Sequence, residues 1–109
     1  MRHIEVEYRP EAIADLEAIF RFVLRLSLEA DTARAFVQRI RDRCRRIGDV
    51  PLGGMPRDDL YPGLRTLPFA RRAVIAYRVI DDRVEITNVF YGGRDFEALY
   101  RGQPDPGDG

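Results

Sequence analysis

Hydrophobic and polar positions in the second half of the chain predict a compact antiparallel sheet. The stretch from Gly63 to Gly93 is rich in Val, Ile, Thr, Phe and Tyr, the residues that suit a pleated, half-buried surface. Turn signals divide it around Ala70-Arg71 and at Asp81-Asp82. If Asp81-Asp82 is a two-residue loop, Ile80 pairs with Arg83, and this pairing sets the register of the hairpin.

This register sorts the side chains of the predicted sheet into an apolar face and a mixed working face. The apolar face carries Ala73, Ile75, Tyr77, Val79, Val84, Ile86 and Phe90, with Asn88 as its polar exception. The working face carries Val74, Ala76, Arg78, Ile80, Glu85, Thr87 and Val89. Arg78 then lies opposite Glu85 as a cross-strand ion pair, and Arg72 lies opposite Tyr91.

The first half of the chain predicts a short strand and a helical hairpin. Alternation from Arg2 to Tyr8 favours a strand that joins the sheet, and Pro10 suits the first position of a helix. Two apolar stripes with helical spacing follow, the first over Ala12, Ile13, Leu16, Ile19, Phe20, Val23 and Leu24 and the second over Ala33, Phe36, Val37, Ile40, Cys44 and Ile47. Gly48 ends the second helix. Because few residues separate the stripes, the helices form an antiparallel pair against the apolar face.

The remaining segments complete the predicted fold. Asp49 to Gly63 is rich in Pro and Gly and predicts a loop, while the segment after Gly92-Gly93 favours one or two helical turns. The fold class is therefore α+β, in the order β-α-α-β-β-β, with the helical hairpin on one face of a mainly antiparallel sheet. One domain is expected over residues 1–101, followed by a disordered tail over residues 102–109.

Charge and cysteine content narrow the function classes. The 18 basic residues, all of them Arg, balance 18 acidic residues, so no overall field favours nucleic acid or a membrane. Cys44 is the one cysteine, which excludes an intrachain disulfide and favours a reducing cytoplasm. The N-terminus has no signal-peptide core, and no apolar run has the length of a membrane span. We expect a cytoplasmic protein without cofactor, metal, membrane contact or independent nucleic-acid binding.

Several short motifs, taken in order, carry a resemblance to a known family. They are P-L-G-G at Pro51 to Gly54, G-L-R at Gly63 to Arg65, A-Y-R-V at Ala76 to Val79 and V-x-Y-G-G-R-D at Val89 to Asp95. Together they resemble the ParE branch of the ParE/RelE toxin superfamily, over nearly the whole chain. That resemblance implies a small toxin of a bacterial toxin–antitoxin pair, of the kind that stabilises plasmids, neutralised by a ParD-like or similar antitoxin laid over its surface.

The two branches of this superfamily imply different activities. ParE-like toxins inhibit DNA gyrase, whereas RelE-like toxins cleave messenger RNA on the ribosome. Cleavage needs a proton donor and a proton acceptor beside cations for the phosphate. Here there is no Lys, the one His is His3 in the first strand, and Glu85 lies opposite Arg78. Many relatives have His where this chain has Tyr91, so a titratable group near neutral pH is also missing. An inhibitor protein is thus favoured over a nuclease.

The resemblance and the predicted register together give candidate binding residues. Arg65, Arg72, Tyr91 and Arg94 are the candidate target-binding group, since guanidiniums around a phenol suit carboxylate or phosphate. Leu67, Phe69, Val74 and Val89 are the candidate antitoxin-binding group, as apolar residues of the working face. Three function classes stay open at this point: a gyrase inhibitor, a RelE-like ribonuclease, and a non-toxic homologue that only binds an antitoxin.

Overall fold

The structure, a computed structural model, describes residues 3–92 and 96–101. The elements are β1 (Glu5–Tyr8), α1 (Pro10–Ser27), α2 (Ala30–Ile47), β2 (Met55–Pro56), β3 (Arg65–Phe69), β4 (Ala73–Ile80), β5 (Arg83–Tyr91) and α3 (Phe96–Arg101). The predicted α+β class and the order of its elements are confirmed. The predicted tail over residues 102–109 lies outside the described residues.

The strands form one sheet in the order β1-β5-β4-β3-β2. β1 is parallel to β5, and the other neighbours are antiparallel. The helical hairpin therefore serves as the crossover that a parallel pair requires. β2 is an addition to the prediction, because this short edge strand lies inside the segment expected to be a loop.

The helical hairpin packs on the face of the sheet that we call the helix face. Its core contains Ala12, Leu16, Ile19, Ile40, Cys44, Ile47, Ile75, Tyr77, Val84, Ile86 and Val89. Pro10 begins α1 as predicted, and Gly48 ends α2. Gly48 is required by space, because a Cβ there would lie 2.4 Å from the carbonyl oxygen of Ile4. The same contact ties β1 to the end of α2 through a 2.9 Å hydrogen bond from the Ile4 N–H to the Gly48 carbonyl oxygen.

The predicted register is correct at the β4–β5 turn. Ile80 pairs with Arg83, and Asp81 and Asp82 have φ angles of 50° and 61°, the positive values that a type I′ hairpin turn requires. Farther from the turn the register shifts: Tyr77 pairs with Ile86, but Ala76 pairs with Asn88. Thr87 is the extra residue of a β-bulge.

The bulge exchanges the two faces of β5 beyond Thr87. Val89, which is 3% exposed, and Tyr91 lie on the helix face. Phe90 lies on the opposite face, so the predicted faces of Val89 and Phe90 are wrong. The physical reason is that side chains alternate with a period of two, and one inserted residue reverses every later position. The predicted pairing of Arg72 with Tyr91 is also wrong by one residue, since Ala73 is the partner of Tyr91.

The face opposite the helices, which we call the α3 face, is covered in part. A second apolar cluster there contains Leu64, Ala76 and Phe90, with Leu60, Tyr61, Val74, Phe96 and Tyr100 around them. Phe96 of α3 stacks on Phe90 with ring centroids 5.4 Å apart, and Arg57 binds Glu97 of the same helix. The sheet therefore has packed groups on both faces, where the sequence predicted one apolar face only.

Asp15 of α1 stabilises the bulge. Its Oδ2 accepts hydrogen bonds from the Val89 N–H at 2.9 Å and from Asn88 Nδ2 at 3.1 Å. β1 ends at Tyr8, which pairs with Ile86, so beyond that point the edge of β5 is next to α1. The carboxylate thus accepts the backbone hydrogen bond that a neighbouring strand would otherwise take.

Candidate functional site

The predicted target-binding group is not assembled at one place. Arg65 Nη1 donates to the carbonyl oxygens of Leu52 at 3.0 Å and Gly54 at 2.8 Å. Arg65 pairs with Tyr77 across the sheet, whereas Tyr91 pairs with Ala73. These positions lie four residues apart along β4, which corresponds to about 13 Å in a strand. Arg65 therefore holds a loop and does not surround Tyr91.

Arg72 and Tyr91 do lie at the same end of the sheet. The Arg72 carbonyl oxygen accepts a hydrogen bond from the Gly92 N–H at 3.1 Å. The Tyr91 ring contacts Phe22 and Phe36 edge-on, with centroids 5.5 and 5.3 Å apart. The remaining member of the predicted group, Arg94, lies outside the described residues.

This end of the molecule presents guanidinium groups around a shallow cavity. The cavity has a volume of about 230 Å³ and is bounded by α1 and β5, with Phe22, Arg25 and Tyr91 in its wall. Arg71 and Arg72 are exposed in the adjoining β3–β4 turn. We call Arg25, Arg71, Arg72 and Tyr91 the turn-end surface. It can offer cations beside an aromatic ring to a negatively charged partner.

The predicted antitoxin-binding residues do not share one face. Leu67 and Phe69 pack beside the helix-face core together with the buried Val89, while Val74 belongs to the α3-face cluster. The β3–β4 pairing places Leu67 opposite Ile75 and Phe69 opposite Ala73, and the bulge turns Val89 inward. The prediction that these four residues share the working face is therefore wrong. Val89 has too little exposed surface to contact a partner.

Tyr77 holds the Pro51–Gly54 segment against the sheet. Its buried hydroxyl accepts a hydrogen bond from the Gly54 N–H at 2.8 Å and donates one to the Pro51 carbonyl oxygen at 2.9 Å. A Cβ at Gly54 would lie 2.5 Å from that hydroxyl, so only glycine allows this approach. Burial raises the pKa of Tyr77, which keeps the phenol neutral and able to donate. With Arg65, these contacts fix a loop from which Leu52 projects, 66% exposed.

Behind this loop, a groove runs between α2 and β3. It contains a cavity of about 470 Å³ lined by Arg43, Arg46, Ile47, Asp49, Val50, Gly53, Gly54, Leu67 and Tyr77. Farther along, the Arg39 guanidinium lies 5.6 Å from the centre of the Phe69 ring. We call this feature the α2–β3 groove. Leu67 and Phe69 thus border an accessible groove, although on the helix face rather than the predicted working face.

The α3 face holds a polar cavity of about 240 Å³. It is lined by Arg9, Tyr61, Leu64, Arg78, Glu85, Thr87, Asn88 and Tyr100. The predicted Arg78–Glu85 ion pair is replaced by other contacts: Glu85 lies 3.9 Å from an Arg9 nitrogen, and the Arg78 guanidinium lies 5.1 Å from the centre of the Tyr61 ring. Within residues 3–92 and 96–101, Arg78 Nε has no hydrogen-bond partner.

Sequence reasoning missed Arg9 and Tyr100 as members of this cavity. They come from the segment between β1 and α1 and from the last helix, and only the fold brings them together. Burial raises the pKa of Tyr100, against an opposing contact from Thr87, so its phenol is protonated at neutral pH. The cavity therefore combines a carboxylate, guanidinium groups and a proton-bearing phenol.

No group of His, Cys, Asp and Glu side chains that could hold a metal ion occurs among the described residues. In the same part of the chain, no helix combines the length and the hydropathy needed to cross a bilayer.

The fold, a helical hairpin crossing one face of a mainly antiparallel sheet, is that of the ParE and RelE toxins. The solved structure of a chromosomal ParDE toxin–antitoxin system from P. aeruginosa is similar to 82% of this chain and 96% of that chain, with a TM-score of 0.71 and 26% identity. The RelBE2 toxin–antitoxin complex from Mycobacterium tuberculosis shares the fold over 84% of this chain and 100% of that chain, with a TM-score of 0.55 and 18% identity.

Sequence comparison assigns the chain to one branch. The family described as the ParE toxin of the type II toxin–antitoxin system parDE matches residues 6–96, while no curated protein matches the sequence. The chain therefore belongs to the ParE toxin family and is the toxin component of a type II toxin–antitoxin system. The family resemblance drawn from the sequence motifs is confirmed.

Proposed function

We propose that this toxin inhibits DNA gyrase by binding it through the turn-end surface. Arg71 and Arg72 are exposed beside the cavity that contains Arg25 and Tyr91, and this arrangement is the observation that carries the proposal. Guanidinium groups bind carboxylates and phosphates bidentately, so the surface suits an acidic protein patch or the DNA held by a protein. Its activity then depends on a contact area rather than on one proton-transfer group.

Family membership supports the same proposal. So does the fact that several other arginines of the protein are engaged in contacts within the fold. Arg65 holds the loop, Arg78 stacks on Tyr61, and Arg57 binds Asp59 and Glu97. The guanidiniums of Arg71 and Arg72, by contrast, lie at a turn where a partner can approach. These two residues are thus the cations that we expect a target to contact.

The test is supercoiling of relaxed plasmid by purified gyrase with the antitoxin-free toxin. We expect inhibition by the wild type, weakened on the order of 10-fold by Arg72→Ala if this residue is a hot spot of the contact. Arg34→Ala is the matched control, because Arg34 is exposed on α2 and bound to Asp31. Unchanged supercoiling at a large molar excess of folded wild-type toxin would contradict the proposal.

Cleavage of messenger RNA is the second candidate function, and the α3-face cavity is the observation that favours it. Glu85 and Arg9 lie beside Arg78 and the Tyr100 phenol in that cavity, which supplies a possible proton acceptor, cations for a phosphate and a proton donor. Ribosome-dependent cleavage of a messenger by the wild type would support it. Loss of about 10²–10⁴-fold in rate with Tyr100→Phe or Glu85→Gln would then assign the chemistry to this cavity.

Induction of the toxin in a bacterial host separates the two candidates before any purification. Filamentation with a DNA-damage response is the outcome expected for gyrase inhibition, and rapid arrest of translation is the outcome expected for messenger cleavage. Normal growth would instead favour the third class, a homologue that binds an antitoxin without being toxic. In that case neither the turn-end surface nor the α3-face cavity would have the role given to it here.

A further inference from the structure

One side of α2 carries positive charges that the described part of the protein does not neutralise. Arg39, Arg43 and Arg46 follow one another four and three residues apart, the spacing that places side chains on the same side of a helix, and we call them the arginine row. Within the described ranges, no carboxylate forms an ion pair with any of the three. Arg45, on another side of α2, is bound to Asp42 at 2.9 Å. The row is therefore a local basic surface on a chain whose 18 basic and 18 acidic residues balance.

The arginine row forms one wall of the α2–β3 groove. Arg43 and Arg46 line its cavity of about 470 Å³. Farther along the row, the Arg39 guanidinium lies 5.9 Å from the centre of the Phe36 ring and 5.6 Å from the centre of the Phe69 ring. Cation–π contacts of this kind hold a guanidinium in place over a ring. The row thus ends in a positioned cation beside an aromatic side chain.

The rest of the groove leaves open, largely uncharged space beside these cations. Leu67 lies on the β3 side, and Gly53 and Gly54 have no side chains to fill the cavity that they line. Asp49 is the acidic residue among those that line the cavity, and its Oδ1 lies 2.7 Å from the imidazole Nδ1 of His3. A ligand in the groove would therefore meet guanidinium groups on one wall and an apolar surface on the other.

We propose that the α2–β3 groove binds a short single strand of nucleic acid, with its phosphates on the arginine row and its bases towards Leu67 and Phe69. Guanidinium groups bind phosphate oxygens bidentately. From Arg39 to Arg46 the row extends about 10 Å along α2 at 1.5 Å per residue, and over that length one stacked strand carries about three phosphates. A basic groove that includes an aromatic side chain is the arrangement by which proteins bind single strands.

A single strand matches the groove better than a duplex or an acidic protein segment does. The bases of a duplex are paired in its interior, so the apolar wall would have no partner. A protein segment would need acidic residues at three matching positions, whereas a nucleic acid has a phosphate at every nucleotide. The sequence-based expectation of no independent nucleic-acid binding rested on the net charge of the whole chain, which does not reveal a local row.

The experiment measures the dissociation constant of purified, antitoxin-free toxin for fluorescently labelled oligo-dT and oligo-U strands, by anisotropy at several salt concentrations. We expect binding that weakens as salt rises, with a log–log slope of about −2, because each phosphate contact contributes about −0.7. Arg43→Ala/Arg46→Ala should raise the dissociation constant about 10-fold at low salt and leave a slope of about −0.7. The tighter of the two strands identifies DNA or RNA as the source of the ligand, and either result supports the proposal.

Two controls separate the arginine row from net charge and from phosphates alone. Arg34→Ala/Arg45→Ala removes the same formal charge, but these arginines are bound to Asp31 and Asp42, so the dissociation constant should change less than about 2-fold. An abasic strand of the same length keeps the phosphates and lacks the bases. It should bind about 10-fold more weakly with an unchanged salt slope.

Several outcomes would overturn the proposal. They are the absence of binding at low salt, unchanged binding by folded Arg43→Ala/Arg46→Ala toxin, and equal binding of the abasic and the normal strand. Tighter binding of a duplex would overturn it in favour of a duplex surface, and displacement of the strand by polyglutamate of equal charge would overturn it in favour of an acidic protein partner. The assay contains no gyrase, so a negative result leaves the turn-end surface proposal standing.

Discussion

The alternation of side-chain faces that the sequence predicts holds in one half of the β4–β5 ladder and fails in the other. In the half near the β4–β5 turn, where Tyr77 pairs with Ile86 and Ile80 with Arg83, alternation predicts each side-chain face correctly; we call this the turn half. In the other half, which we call the bulge half, Ala76 pairs with Asn88 and Ala73 with Tyr91, and every face on β5 is reversed. The strand sequence is β-favouring throughout. Alternation therefore predicts side-chain faces only up to the point where a residue is inserted, and an element distant in sequence can determine where that insertion occurs.

That distant element is α1, which replaces β1 as the neighbour of β5. The turn half of β5 has a parallel partner in β1 as far as Ile86. Beyond Ile86 the edge meets a helix, and Asp15 accepts the hydrogen bonds of Asn88 and Val89. The bulge thus lies where the neighbour of β5 changes from a strand to a helix, and the sequence of β5 alone does not contain that information.

Val89→Asp should have the largest effect on stability, because it places a charge at a buried position of the bulge half. Val89 is 3% exposed in the helix-face core, so a carboxylate there would be buried without a partner. We expect a loss of at least about 4 kcal/mol in the free energy of unfolding, measured by urea denaturation. Val79→Asp is the matched control, since Val79 is 37% exposed in the turn half. Equal stability of the two variants would contradict the bulge.

Asp15→Ala should have the next largest effect, since it removes the acceptor that stabilises the bulge. The Val89 N–H and the Asn88 amide would lose their shared partner, at a cost of about 2 kcal/mol. Glu17→Ala, an exposed position on the same helix, should change stability little. Amide hydrogen exchange should accelerate at Val89 and not at Val84 in the turn half. Equal acceleration at both amides would mean that Asp15 has no local role.

The parts of the fold that could be predicted are those that local patterns determine. The apolar stripes predict both helices, Pro10 and Gly48 predict a helix start and a helix end, and Asp81-Asp82 predicts the turn. β2 could not be predicted in the same way. It has only Met55 and Pro56, too few residues to show a period, and it is a strand because β3 offers it an edge.

The candidate sites were harder to predict, because they depend on faces and on long side chains. Arg65 was expected to contact a target, but its guanidinium is within reach of the Leu52 and Gly54 carbonyl oxygens and binds them. Arg78 was expected to pair with Glu85 across the ladder, and that register is correct. A long side chain can reach beyond its cross-strand neighbour, however, and Arg78 stacks on Tyr61 from the preceding loop.

Tyr77→Phe tests how the turn half supports the groove. The substitution leaves the Gly54 N–H and the Pro51 carbonyl oxygen without their partner, so we expect a loss of about 1–2 kcal/mol in unfolding free energy. Tyr91→Phe is the control in the bulge half, where no hydroxyl hydrogen bond occurs within the described residues, and it should be nearly neutral. Faster exchange of the Gly54 amide in Tyr77→Phe would confirm a loosened loop. Equal stabilities of the two variants would contradict this anchoring role.

The smallest effect is expected at the turn itself, where sequence and structure agree but the residues are not the best for the geometry. Asp81 and Asp82 both have positive φ, which L-residues other than Asn adopt at some cost and Gly adopts freely. Asp81→Asn/Asp82→Gly should therefore stabilise the protein, by about 0.5 kcal/mol once the greater freedom of Gly in the unfolded chain is subtracted. Glu5→Gln/Glu17→Gln, at two exposed positions outside the β4–β5 ladder, controls for the loss of two negative charges. The measurement is the midpoint of thermal unfolding of the turn variant and of the wild type. A lower midpoint for the turn variant would mean that the aspartate side chains stabilise the turn by their own contacts. A higher midpoint would indicate that the backbone geometry of Asp81 and Asp82, rather than contacts of their side chains, determines the stability of the turn. The bulge half differs, because it depends on the side chain of Asp15.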